Sequence, residues 1–365
     1  MKKKLLIVGS CIMVSAMGLT ACGQQQENSA AEDNKTVESA SVTAAVTLEG
    51  SHMTGELTEN VKIDAQVQGQ EITSCTTYNT VGKEFDKNTM EAIFWENTSE
   101  LKSEEDKEDN SYSIEDALGG GAYAYLGTLS YNINDSINDL SILAMYCYGN
   151  EMREMSMEEK ATILQATTVQ NAMQKLNQIY PLGEGEEFCL QQGIKINMED
   201  IIKEQSDSDM SDMQTMTQDM LGNDAYYLNF AVEKEGILLA SQVGPDFVSV
   251  SENLNTQTTG ITMIVDENEI KLLSIEGAYE LNEGTKEGII TAQEAAGYVA
   301  KEYENQISAD SITFDKVWLE YVFCSGTSLT EFSEGTLQPY WVFMDSKENV
   351  AERINAITGE NFKYE

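Results

Sequence analysis

Residues 261–275 read ITMIVDENEIKLLSI. Ile261–Val265 and Ile270–Ile275 are apolar runs of strand length, and Asp266-Glu267-Asn268-Glu269 between them is a polar turn. The segment therefore predicts a β-hairpin. Downstream, Ile290–Tyr303 has helical spacing, and Thr291 is followed three residues later by Glu294, the spacing of a capping box. Ile312–Phe323 and Tyr340–Met344 predict strands, and Ile354–Glu360 predicts a strand entering a turn at Gly359. Upstream, Ala225–Val232, Ile237–Ser241 and Phe247–Val250 predict further strands.

Toward the N-terminus, Met155–Tyr180 predicts a long helix. Ser156 and Glu159 form a second capping-box pair, and Ala161, Leu164, Ala172, Leu176 and Ile179 supply an apolar face. Met198–Gln205 predicts a short helix, and residues 206–220 form a polar, methionine-rich stretch. Leu57–Gln68 (LTENVKIDAQVQ) alternates through Val61, Ile63, Ala65 and Val67, a half-buried strand pattern, and Ile72–Val81 follows as another strand. Lys83–Trp95 has helical spacing, and residues 96–111 read as a solvated acidic loop. Gly119-Gly120-Gly121 lacks the following GK[ST] of a phosphate loop and predicts a tight turn before Ala122–Leu126.

Helical and strand blocks in this order predict an α+β protein with helices packed on antiparallel sheets. The expected division is a signal segment at 1–21, a flexible tether at 22–47, an α+β region at 48–155, a helix-plus-strands module at 156–260 and a C-terminal module at 261–365.

The N-terminus gives an address. Lys2, Lys3 and Lys4 precede an apolar run from Leu5 to Met17, and Leu19-Thr20-Ala21-Cys22-Gly23 follows. This resembles a bacterial lipobox. The apolar run is too short and too interrupted to span a bilayer. The resemblance implies lipidation of Cys22 and loss of residues 1–21, leaving the protein anchored at the extracytoplasmic face of the cell membrane. Residues 23–47 then lift the folded part off the surface.

Composition narrows the function classes. The formal charge is −40, which repels nucleic acid and anionic lipid and keeps an exported protein soluble. The same charge favours cations and basic surfaces as partners. Arg153 and Arg353 are the only arginines and His52 the only histidine, so a Ser-His-Asp triad or Cys-His dyad would have to use His52. An exposed, non-catalytic His52 is the simpler reading. Cys75, Cys147, Cys189 and Cys324 remain beyond the signal segment and lipobox. Export permits disulfides, and four cysteines allow three pairings; Cys147 and Cys324 also suit buried free thiols. No cofactor motif is present.

Residues 261–365 place in order a strand pair, a helix opening Ile290-Thr291-Ala292-Gln293-Glu294-Ala295, and a strand with Leu319-Glu320-Tyr321-Val322. Gln338-Pro339-Tyr340-Trp341-Val342-Phe343 and Ile354-Asn355-Ala356-Ile357-Thr358-Gly359-Glu360 follow. This order resembles the PepSY-like module in the form seen in YycI/YycH-type regulators of Gram-positive two-component systems. Ser156–Ser241 reads as a degenerate second copy, and the whole layout resembles uncharacterised lipoproteins of Gram-positive clostridia. The resemblance implies regulation through extracytoplasmic protein contacts and carries no catalytic residues. A lipid anchor here replaces the transmembrane helix of that family.

The expected function is thus a surface-tethered, non-enzymatic binding or regulatory lipoprotein with an unidentified protein partner. Tyr340 and Trp341 are candidates for the partner surface, although core packing suits Trp341 at least as well. The alternative is a cation- or small-ligand-binding lipoprotein, with oxygen ligands from Asp207, Asp209 and Asp212 or from Asp266, Glu267 and Glu269. Neither set has EF-hand spacing.

Overall fold

The computed structural model describes residues 46–95, 98–108, 110–134, 140, 143–144, 147, 155–207, 221–239, 260–304, 311–324, 334–347 and 350–361. Strand accounts for 51% and helix for 22%, in a 17-stranded mixed sheet with five short helices among the described residues. The expected α+β arrangement, with helices packed on antiparallel sheets in tandem PepSY-like modules, is overturned by this strand-dominated architecture. The reason is non-local pairing. Segments that read as separate hairpins and loops hydrogen-bond across the whole chain, which no local pattern encodes.

Eight strands form one antiparallel run. Their order is β9 (Glu186–Ile196), β10 (Ala225–Lys234), β12 (Gly260–Val265), β13 (Ile270–Glu276), β8 (Thr128–Asn132), β7 (Gly121–Tyr125), β6 (Ser111–Glu115) and β5 (Lys102–Asp106). The β12–β13 pair is the hairpin read from residues 261–275. A second group joins β1 (Thr47–Glu49), β2 (His52–Thr58), β3 (Val61–Gln68), β15 (Ile312–Cys324), β16 (Glu334–Asp345) and β17 (Val350–Asn355). Here β3 and β15 run parallel. Two connections make the sheet continuous. β11 (Ile237–Leu239) pairs with both β10 and β15, and β4 (Ser74–Gly82) pairs with β14 (Tyr279–Gly288) and β16. Strand pairing therefore crosses the boundaries expected at 155/156 and 260/261.

The helices are α1 (Lys87–Phe94), α2 (Met157–Leu164), α3 (Thr167–Ile179), α4 (Met198–Asp207) and α5 (Ala292–Tyr303). Both capping boxes form as the sequence predicts, Ser156 with Glu159 and Thr291 with Glu294. The single helix expected over 155–180 is two. Gln165 ends α2, and Ala166 takes an extended backbone with no side-chain cap before the β-branched Thr167-Thr168-Val169 starts α3. The acidic loop expected over 96–111 contains β5, an edge strand with all five residues exposed. Burial leaves no periodic trace in such a strand, and its charge protects the edge from further pairing. The strand expected at 247–250 lies outside the described residues.

One principal core runs between the two groups. Phe230, Ile261, Met263, Leu273 and Ile275 of the eight-strand run share it with Ile63, Phe314, Trp341 and Phe343 of the second group. A smaller cluster on the opposite face of the run holds Cys147, Ile196, Ile201, Tyr227, Ile264 and Leu272. Beside it the register aligns a polar row across seven strands: Ser113, Tyr123, Ser130, Ser274, Thr262, Asn229 and Gln192. Its buried end is hydrogen-bonded, with Thr262 donating to Asn229 Oδ1 (2.7 Å) and Asn229 donating to Tyr227 Oη (2.6 Å). Among the described residues no helix is long and apolar enough to cross a membrane.

Candidate functional site

A small cavity lies beneath the β5–β6 hairpin. Its volume is about 190 Å³, and its walls include Lys83, Glu84, Asp106, Lys107, Asn110 and Tyr112. Three backbone hydrogen bonds fix one wall. Lys83 N donates to Ala278 O, Ala278 N to Gly127 O, and Gly127 N to Lys83 O, each at 2.9 Å. This ring locks the β7–β8 turn to the residues after β4. It also holds Leu126 at φ 22°, a backbone that a residue with a Cβ rarely adopts.

The other wall is the hairpin tip. Asn110 sits at φ 49° and donates its amide to Glu84 Oε1 at 3.1 Å. Lys87 of α1 pairs with Glu105 Oε1 at 2.8 Å, and this hydrogen bond holds the Glu105 carboxyl below its ordinary range. Lys83 places its ammonium over the buried Tyr180 ring, 5.1 Å from the centroid. Tyr112 is 8% exposed, and its Oη is buried with no hydrogen-bond partner among the described residues. Burial, and then the charges of Asp86 and Glu91, push this phenol well above its usual pKa, so it stays protonated.

The acidic turn proposed as a cation site is differently built. Asp266 is 4% exposed. Its Oδ2 accepts from Gly222 N (2.9 Å), and its Oδ1 accepts from Asn268 N (2.9 Å) and Glu269 N (3.1 Å). Burial alone would raise this carboxyl, but the three amides and Lys271 outweigh it and hold it below its usual value. Glu267 accepts from the amides of Asn223 and Asp224, both at 3.0 Å. Glu269 pairs with Lys271 at 2.9 Å. These carboxylates latch residues 222–224 to the β12–β13 turn, with amides and an ammonium as their partners. Asp207 closes α4, while Asp209 and Asp212 lie outside the described residues. Among the described residues no group of three or more His, Cys, Asp or Glu is placed to hold a metal ion.

The latch continues into Asp224, which accepts from Lys195 (2.6 Å), Thr168 (2.7 Å) and Tyr226 (3.2 Å), tying α3 to β9 and β10. The Lys195 hydrogen bond chiefly lowers the Asp224 carboxyl.

Tyr340 and Trp341 do not form a partner surface. Trp341 is 1% exposed and donates its indole N–H to Ile290 O at 2.8 Å, and Tyr340 is 6% exposed. The strand carries both into packed faces: one meets the principal core, the other Val322 and Cys324. His52 is exposed and contacts Asp64 at 2.9 Å. Cys75, Cys189 and Cys324 are free thiols, and Cys147 lies in the smaller core cluster. Burial pushes Cys75 up to about 11 and Cys189 up to about 12, which keeps both protonated. Cys22 and its lipobox neighbours Leu19, Thr20, Ala21 and Gly23 lie outside the described residues.

Sequence reasoning missed Lys83, Lys107 and Tyr112. Lys83 follows β4 while Lys107 and Tyr112 belong to the β5–β6 hairpin, and none belongs to a motif. The one available signal was the strand alternation that turns Tyr112 inward.

No family model matches the chain, and no curated protein matches its sequence. The chain is similar in fold to the crystal structure of an uncharacterised protein from Eubacterium rectale ATCC 33656. That likeness has a TM-score of 0.51 at 13% identity and covers 86% of this chain and 94% of the other.

Proposed function

We propose that this chain is a lipid-anchored, non-enzymatic binding protein that acts through contacts with another protein outside the cytoplasmic membrane. The lipobox Leu19-Thr20-Ala21-Cys22-Gly23 carries the reading, because lipidation there fixes where the folded part works.

The exposed face of α2 favours a protein as the partner. This helix buries none of its residues, and Met157 (80% exposed) and Leu164 (37% exposed) stand seven residues apart on one stripe. Ile163 points the other way, onto Gly193 of β9, where a Cβ would come within 3.0 Å of its side chain. The helix is thereby held against the sheet edge with two large apolar side chains facing water.

The test is photo-crosslinking of the full-length lipoprotein in its own membrane, with a photoreactive residue at Met157 or Leu164 and, as control, at the exposed Glu283 on β14. One dominant adduct from the α2 positions alone supports the reading. It is overturned if α2 and Glu283 give the same adducts, or if Cys22→Ala leaves membrane fractionation unchanged.

A further inference from the structure

The eight-strand run ends at β5, whose five residues Lys102–Asp106 are all exposed. Among the described residues β5 pairs with β6 alone. The register says which backbone groups point outward. Asp116 N donates to Gly120 O at 2.9 Å, so residues 116 and 120 are a hydrogen-bonded pair at the β6–β7 turn. Such pairs alternate along an antiparallel ladder. Carried through the β6–β7 and β5–β6 registers, the alternation bonds Lys102, Glu104 and Asp106 to Glu115, Ser113 and Ser111. It directs the backbone N–H and C=O of Ser103 and Glu105 away from β6, as a template for another strand.

We infer that this edge takes up an extended, basic segment of another protein as an added antiparallel strand. The segment's backbone meets Ser103 and Glu105, and its lysine or arginine side chains stand opposite Glu104 and Asp106. In this mode main-chain hydrogen bonds give affinity and alternate side chains give specificity. Charge decides the occupant. Glu104 and Asp106 fall at the non-hydrogen-bonded positions of the new pair, where facing side chains come closest. Opposite charges there stabilise and like charges destabilise. The chain carries 62 acidic and 22 cationic side chains, so a second copy of it is repelled, and pairing β5 with β5 about Glu104 would set that carboxylate against its own copy. The charge that guards the edge against other strands thus selects a basic one. The hairpin is also fixed in advance, by Asn110 on Glu84 (3.1 Å) and Lys87 on Glu105 (2.8 Å), so the ordering cost falls on the incoming segment. This inference rests on the reading of the chain as a protein that binds proteins, but not on its lipid anchor or on α2.

The experiment is titration calorimetry on the full chain in detergent with a short peptide alternating lysine and threonine. With lysines opposite Glu104 and Asp106, the threonines stand opposite Ser103 and Glu105. Their N–H groups then face β5, and those of the lysines face away. We expect one-to-one binding, weakened about tenfold or more when the threonine nitrogens are methylated and little changed when the lysine nitrogens are. A peptide with glutamate in place of lysine gives no heat. Ser103→Pro removes an outward N–H and no β5–β6 bond, so it keeps the parent's urea midpoint while weakening binding about tenfold. Glu104→Lys leaves the backbone untouched and weakens binding about threefold or more, which keeps the test open if Ser103→Pro misfolds. Several results would overturn the inference: no heat with the lysine peptide, equal binding after methylation of the threonine nitrogens (charge alone), or binding unchanged in Glu104→Lys and in a folded Ser103→Pro. A parent that sediments as a dimer, dissociated by Glu104→Lys, would also overturn it by giving the edge to a second copy. Crosslinking at α2 is read separately. Its failure alongside peptide binding at β5 sinks the α2 contact alone, and its success alongside silent calorimetry sinks only the β5 edge.

Discussion

The Asp266 turn and the Tyr112 cavity treat polar groups in opposite ways. At the turn, acidic side chains adjacent in sequence fold onto the amides of residues 222–224 and onto Lys271. At the cavity, groups from three distant segments converge, and a buried phenol is left without a partner among the described residues. The difference teaches that the acidic side chains of the Asp266 turn serve to hold two segments together. A polar group is left over where separate segments meet, because there no single turn has satisfied it.

Removing Asp266 should break that contrast most severely. Asp266→Ala leaves three amides without their acceptor and takes one of two carboxylates from a largely buried Lys271, and we expect a loss of about 3 kcal/mol. Urea unfolding at pH 7 measures it. A loss below about 1 kcal/mol would show that the turn is not the latch described here.

Acid sharpens the same comparison. The folded-state pKa of Asp266 lies below its ordinary value of 3.8, so the unfolded chain binds this proton more readily. Its contribution is therefore complete above pH 3.8 and lost as pH falls through the folded-state value. The stability gap between the parent and Asp266→Asn should be constant from pH 7 to about 5 and narrow below that. Unfolding curves across this range check the sign, and a gap that widened on acidification would refute it.

The smallest effect belongs to the cavity, and its sign is opposite. Tyr112→Phe removes an unpaired hydroxyl and should raise stability by about 1 kcal/mol. A loss of similar size would mean that the hydroxyl is already satisfied, and the two regions would no longer differ.

Local features were legible in the sequence. The alternation in Val61–Val67 is β3, whose buried positions are Val61, Ile63, Ala65 and Val67. The Ser156/Glu159 and Thr291/Glu294 pairs cap their helices, and Gly359 takes φ 73° at the end of β17, packed against the Tyr298 ring. Each depends on residues within a few positions of one another. The strand β5 was not legible, because all of its residues are exposed and no burial pattern marks it. The break at Gln165–Ala166 was also hidden, since neither Gly nor Pro signals it. The candidate cavity was wholly illegible, as Lys83, Lys107 and Tyr112 share no spacing.

By itself, the sequence determined the caps, the hairpin at 261–275 and the inward-facing positions of β3. These follow from side-chain chemistry and from the two-residue and 3.6-residue repeats of the backbone. Only the tertiary structure decided that β3 lies parallel to β15, that β4 joins β14 to β16, and that the acidic turn spends its charge on amides. Backbone hydrogen bonding between strands is indifferent to side-chain identity, so partners far apart in the chain are chosen by the packing of the whole core.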